Sequence, residues 1–148
     1  EEHKVEVETK KILGGVTTPL NIKVSCTCTR VAVLEGHTEA AWVGLEKKTT
    51  PAEVANAMRE WQGHAWVKGL PSSPQKWVEV HDDPFRPQPR LDRDAHGGMC
   101  TSVGRIREDA VLDNGVKFVL VSHNTKMGAA RGAVLLAELL QSRGILST

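Results

Sequence analysis

Tyrosine is absent from these 148 residues, and only 2 Phe and 4 Trp supply aromatic rings. A core built from this chain must rest on Val, Leu, Ile and Ala. No apolar run approaches the ~20 residues that a membrane-spanning helix needs, so no membrane partner is expected. A charge excess is missing too. Lys and Arg number 19 against 18 Asp and Glu, a formal net charge of +1. That balance offers no broad field to a nucleic acid or an anionic membrane, and no nucleic acid is expected. Cysteine is limited to Cys26, Cys28 and Cys100. An odd number argues against a closed disulfide framework. No CxxC pair and no His pair at zinc-ligand spacing occurs, so no metal is expected. The thiols read as ordinary reduced ones of a cytoplasmic protein. Neither GxGxxG nor a P-loop is present, which leaves no recognisable Gly-rich cradle for a nucleotide. An initiator Met and a signal peptide are lacking as well: the chain opens Glu1-Glu2-His3-Lys4 and reads as a cut from something longer.

What is there suffices for one domain over 1–148, with 40% hydrophobic and 25% charged residues. Residues 3–13 predict a helix with Val5, Ile12 and Leu13 as its apolar stripe, ended by Gly14-Gly15. The β-branched run 22–34 predicts a strand, and 38–46 its neighbour after a turn at Glu35-Gly36-His37. Thr50-Pro51-Ala52-Glu53 is a helix start with cap, first-turn Pro and capping-box Glu, in a helix running to about Trp61. Further strands are expected at 76–81, 99–107 and 116–122, the last two joined by a hairpin at Asp113-Asn114-Gly115. Residues 82–98 read as an ordered proline-rich loop. Asn124 is expected to cap a C-terminal helix, 124–143, buried nearly all round. This order gives an α+β fold: a mixed, largely antiparallel sheet covered by helices.

The candidate chemistry is sparse. Arg30 lies late in an apolar strand, where a guanidinium needs an anion, from the protein or from a ligand carboxylate. His37 follows a glycine at a turn, where an imidazole either faces a cleft and moves protons or lies idle on the surface. Glu8 and Lys11 share a helix face, as a surface ion pair or as a grip on an ammonium and a phosphate. Arg86, Arg90 and Arg93 are solvated charges or anion contacts. Gly128 and Gly132 suggest close approach of a backbone or a flat ligand.

Five strings then converge: VETKKIL (7–13), VSCTCTRVAVLEGHTEA (24–40), RPQPRLDRDA (86–95), SVGRIRED (102–109) and VSHNTKMGAA (121–130). Collinear over nearly the whole chain, they resemble the C-terminal catalytic and dimerisation domain of the aspartate-semialdehyde dehydrogenase family, in its fungal and archaeal branch. The resemblance implies a fold similar to the C-terminal domain of glyceraldehyde-3-phosphate dehydrogenase. It also implies an NADP-dependent interconversion of aspartyl phosphate and aspartate semialdehyde plus phosphate, a step toward lysine, threonine, methionine and isoleucine. A cysteine thiolate is the nucleophile in that family. By matching motif, His37 resembles the acid/base residue and Arg30 the clamp on the substrate carboxylate. Glu8 resembles the residue that orients the substrate amino group, and Lys11 the one that helps bind phosphate. Asn124 and Gly128 lie in a stretch resembling the cofactor contact. The family's Asn-Cys nucleophile and Gly-rich loop have no counterpart here. The chain is therefore expected to be inactive alone, to hold no NADP alone, and to associate with itself. The alternative is a dimerising interaction domain that retains the site residues without catalysis.

Overall fold

Helix α1 (Glu2–Gly14) forms over the expected residues and stops at the Gly14-Gly15 pair. Gly15 takes φ 143°, open to glycine. The chain then returns so closely that a Cβ on Gly14 would lie 2.2 Å from the Leu20 nitrogen, and Leu20 N–H donates to Lys10 O at 2.9 Å. The structure, a computed structural model, describes residues 1–146. It divides into two compact units, Glu1–Ala32 and Val33–Thr148. Within the first, the expected apolar stripe of α1 is not covered: Val5, Leu13 and Ile12 are exposed, Ile12 to 81%.

Residues 22–34 correct an expectation, because they carry no strand. β-Branched side chains favour an extended backbone, but a strand also needs a neighbour to complete its ladder. Among the described residues the sheet has no such neighbour for this run.

The second unit holds four strands: β1 (His37–Gly44), β2 (Val78–His81), β3 (Thr101–Glu108) and β4 (Gly115–Ser122). Their order is β1-β4-β3-β2. β1 and β3 both pair antiparallel with β4, and β2 runs parallel to β3. The fold is thus the expected α+β type with a mixed, largely antiparallel sheet. The Asn-Gly turn forms as read, with Asn114 at φ 50°. A bulge interrupts β3 between Gly104 and Arg107. There a Cβ on Gly104 would meet Arg86 O at 2.4 Å, so the chain of the proline-rich loop crosses against bare backbone.

Helix α2 (Pro51–Glu60) starts on the predicted capping box. Thr50 Oγ1 accepts from Glu53 N–H at 3.2 Å while Glu53 Oε2 accepts from Thr50 N–H at 2.7 Å. It packs on β2 and β3 and buries Ala55. The core gathers Val80, Met99, Cys100, Val103, Val116 and Val121, each fully buried aliphatic contributing about 1.5–3 kcal/mol.

The proline-rich stretch contains a short helix, α3 (Pro89–Asp92), and a cis Arg86-Pro87 bond. The C-terminal helix differs from its prediction in two ways. It begins as a π-helical segment, Lys126–Ala130, and becomes α4 only over Arg131–Ser142. It is also exposed rather than buried: Leu135 is covered, while Val134 and Leu136 are bare, Leu136 to 55%. The composition of the helix predicts cover on most sides, and this unit alone supplies it on one.

Candidate functional site

His37 opens β1, opposite Ser122 of β4. Its place is set by the residue before it. Gly36 is buried, with φ 106°. A Cβ there would sit 3.3 Å from Arg93 Cβ and 3.4 Å from Pro89 Cβ. Only glycine combines that backbone with that space. Gly36 N–H donates to Asn124 Oδ1 at 2.9 Å. The chain entering β1 is thereby tied to the end of β4, and the exposed His37 imidazole projects from a fixed start.

Asn124 therefore does not cap the last helix as expected. That work falls to His123, which sequence reasoning passed over. His123 is buried, and its Nδ1 accepts from the N–H groups of Thr125 and Lys126, each at 3.3 Å. These bonds assign the proton to Nε2, which faces Asp94 Oδ1 at 3.6 Å. Lys126 and Arg93 also engage Asp94, and chiefly the Lys126 bond holds its carboxyl below the usual range. A histidine directly before a helix, followed by Asn-Thr, was the available signal.

Gly132 meets the expected close approach: a Cβ would lie 2.3 Å from Met127 O. At Gly128 no backbone comes as close: the nearest atom to its would-be Cβ is His123 O at 3.7 Å, which leaves the space over it open. As a seat for NADP, these residues do not suffice. Asn124 has its carbonyl engaged with Gly36, and Gly128 N–H donates to His123 O. One carboxamide N–H₂ and an open glycine surface remain.

Glu8, Lys11 and Arg30 belong to the first unit. Glu8 and Lys11 are exposed on α1, and Glu8 Oε1 lies 3.9 Å from Lys4 Nζ, not Lys11. Arg30 is exposed and pairs with no carboxylate among the described residues. Burial therefore forces no anion on Arg30, contrary to expectation, since water already solvates it.

The arginines of the proline-rich loop separate. Arg90 is solvated. Arg86 grips the Asp92 carboxylate through Nε, at 3.0 and 2.8 Å to its two oxygens, and through Nη2. Gln88 N–H donates to the same carboxylate at 2.6 Å. His81 Nε2 stands 3.5 Å away, within ion-pair range but outside hydrogen-bond geometry. Burial would raise the Asp92 carboxyl; Arg86, Gln88 and His81 together outweigh it and hold it below the usual range. The site is structural and fastens the loop that backs Gly36.

Cys100 is fully buried, and burial pushes its thiol up to about 11. It is no nucleophile at neutral pH. Two clefts, of about 440 and 300 Å³, include none of the expected site residues. Among the described residues no group of side chains has metal-ligand spacing, and no helix is long and apolar enough to cross a membrane.

Residues 1–127 match the family model "Semialdehyde dehydrogenase, dimerisation domain". The chain is 46% identical to the aspartate-semialdehyde dehydrogenase of Cryptococcus neoformans, over 99% of its own length and 42% of that protein. It is also 46% identical to the one of Methanothermobacter thermautotrophicus, over 95% of its length and 42% of the relative. Among solved structures, aspartate semialdehyde dehydrogenase with NADP from Candida albicans superposes with TM-score 0.87 at 43% identity, covering 98% of this chain and 43% of that one. The chain spans about 42% of the length of these curated relatives, and it belongs to the semialdehyde dehydrogenase dimerisation-domain family.

Proposed function

We propose that this chain is the substrate-binding and subunit-interface portion of a cytoplasmic, NADP-dependent aspartate-semialdehyde dehydrogenase. The observation that carries the reading is the 46% identity to such an enzyme over 99% of the chain. In this reading NADP supplies the hydride chemistry and is held by the rest of the enzyme. His37, exposed at a start fixed by Gly36 and Asn124, moves the proton. The free Arg30 guanidinium takes the substrate α-carboxylate, which it fits as a two-pronged donor. Glu8 takes the ammonium and Lys11 the phosphate. The nucleophilic thiolate is supplied elsewhere, because Cys100 is inert and Cys26 and Cys28 lie outside any helix start. Self-association is supported by the family's description as a dimerisation domain and by bare apolar side chains such as Trp42, 58% exposed on the edge strand β1.

The test is complementation. The isolated chain gives no turnover in an NADPH-linked assay. Mixed with a separately made cofactor domain bearing the catalytic cysteine, it restores turnover. His37→Ala in this chain removes that restored activity, and Arg30→Lys raises KM for the semialdehyde. Turnover by the isolated chain, or complementation indifferent to His37→Ala, overturns the proposal.

A further inference from the structure

The two cysteines of the first unit are not independent thiols. Cys26 and Cys28 are separated by a single residue on an irregular run. Both are fastened to the same residue at the start of α1. Cys26 Sγ approaches Glu2 O at 3.5 Å, and Cys28 N–H donates to Glu2 Oε1 at 2.8 Å. Even fully extended, two residues of chain span no more than about 7.2 Å, and the roughly 4.4–6.8 Å that a disulfide spans between Cα atoms lies within that reach. A bridge is therefore within the covalent span, and a bridge closing so small a ring is strained and reducible.

We propose that Cys26 and Cys28 form a reversible dithiol site that closes to an intrachain disulfide when it meets a low-molecular-weight disulfide such as oxidised glutathione. Cys28 is exposed and Cys26 half-buried, so Cys28 is the entry thiol. Its thiolate attacks one sulfur of R–S–S–R, forming a mixed disulfide and releasing RS⁻, which takes up the proton Cys28 gave. The Cys26 thiolate then attacks the Cys28 sulfur and expels the second RS⁻, which takes the Cys26 proton. Two S–H bonds are lost, one S–S bond forms, and the oxidant leaves as two RSH. Partial burial, the neighbouring Cys28 and the carboxylates of Glu2 and Glu6 hold the Cys26 thiol above its ordinary value. The closing step therefore quickens as pH rises.

The ring would lie two residues before Arg30 and stiffen the backbone that carries it. That consequence for substrate binding rests on the reading of Arg30 given above, whereas the thiol chemistry does not, so the failure of either is distinguishable. The experiment treats the folded chain with oxidised glutathione and follows free thiols and intact mass, then maps peptides. The wild type is expected to lose both surface thiols, fall in mass by two hydrogens and yield a Cys26–Cys28 bridged peptide. Cys100 stays reduced until denaturant is added, and dithiothreitol restores the surface pair. Cys26→Ser, an exposed-segment change that leaves the circular dichroism spectrum intact, is expected to stop at one glutathione on Cys28. A wild-type chain that keeps a stable glutathione adduct, or keeps both thiols free under the same exposure, overturns the proposal.

Discussion

Asn124 and Gly36 are 88 positions apart, yet one hydrogen bond between them sets where β1 begins. Asn124→Ala leaves the part-buried Gly36 N–H without its acceptor, which costs about 1–2 kcal/mol. Urea unfolding should show a midpoint lowered accordingly, and Asn124→Asp, which keeps the acceptor, should recover most of the loss. An Ala variant as stable as wild type would remove this bond from the account. A second residue sets the acid limit. The Asp92 carboxyl is held below its ordinary 3.8 in the folded chain. Its folded-state value is the lower one, so its contribution is full above about pH 4 and fades as pH falls through that lower value. Asp92→Asn should flatten the acid limb of a stability-versus-pH curve. It should also cost about 3 kcal/mol at neutral pH, because Arg86 loses its partner. An unchanged acid limb would show that Asp92 is not the group responsible. At this scale the sequence was half legible. Asn124 stands where a helix cap belongs, and local spacing says nothing of a glycine so far upstream. The Arg86–Asp92 pair, six residues apart, was within reach of a local reading but looked like solvated charge.

Elements were legible where their cause is local. The capping box of α2 lies within four residues, and it forms as read. Thr50→Ala removes the acceptor for Glu53 N–H and should lower stability by about 1 kcal/mol, with Thr50→Ser nearly neutral in the same melt. Residues 22–34 failed for the opposite reason: β-propensity is a statement about a pleated neighbour, and among the described residues no strand pairs with them. The split of the last helix was illegible as well, since no residue in TKMGAARGAV announces a π-turn. Its mark shows at Gly132, where Met127 O lies within 2.3 Å of a would-be Cβ. Helix propensity alone makes Gly132→Ala favourable by ~1 kcal/mol. The close carbonyl should reverse that sign, because the backbone of the π-turn must shift to admit the methyl. Thermal melts of the variant should show a lower Tm; a raised Tm would mean that the turn relaxes into regular α-helix without cost.

For the whole molecule, the strings that carry the family resemblance run collinearly through both units, so family membership was legible end to end. Burial was not. The Val, Leu and Ala of α4 and the apolar positions of α1 read as core, but α4 buries Leu135 alone and α1 nothing. A periodic apolar face states that cover is wanted and not which chain provides it. With a net charge of only +1, that cover cannot come from a general electrostatic pull, and the bare Trp42, Val134 and Leu136 point to apolar contact instead. The chain should therefore associate with itself at tens of micromolar, the range of a modest interface of about −6 kcal/mol. The association should also be insensitive to salt, since screening weakens charge pairs and leaves apolar burial intact or strengthened. Light scattering across a rising salt series should give a mass that holds or grows. A mass that falls toward the monomer as salt is added would assign the interface to ion pairs, and a monomer throughout would overturn the assignment of these faces to self-association.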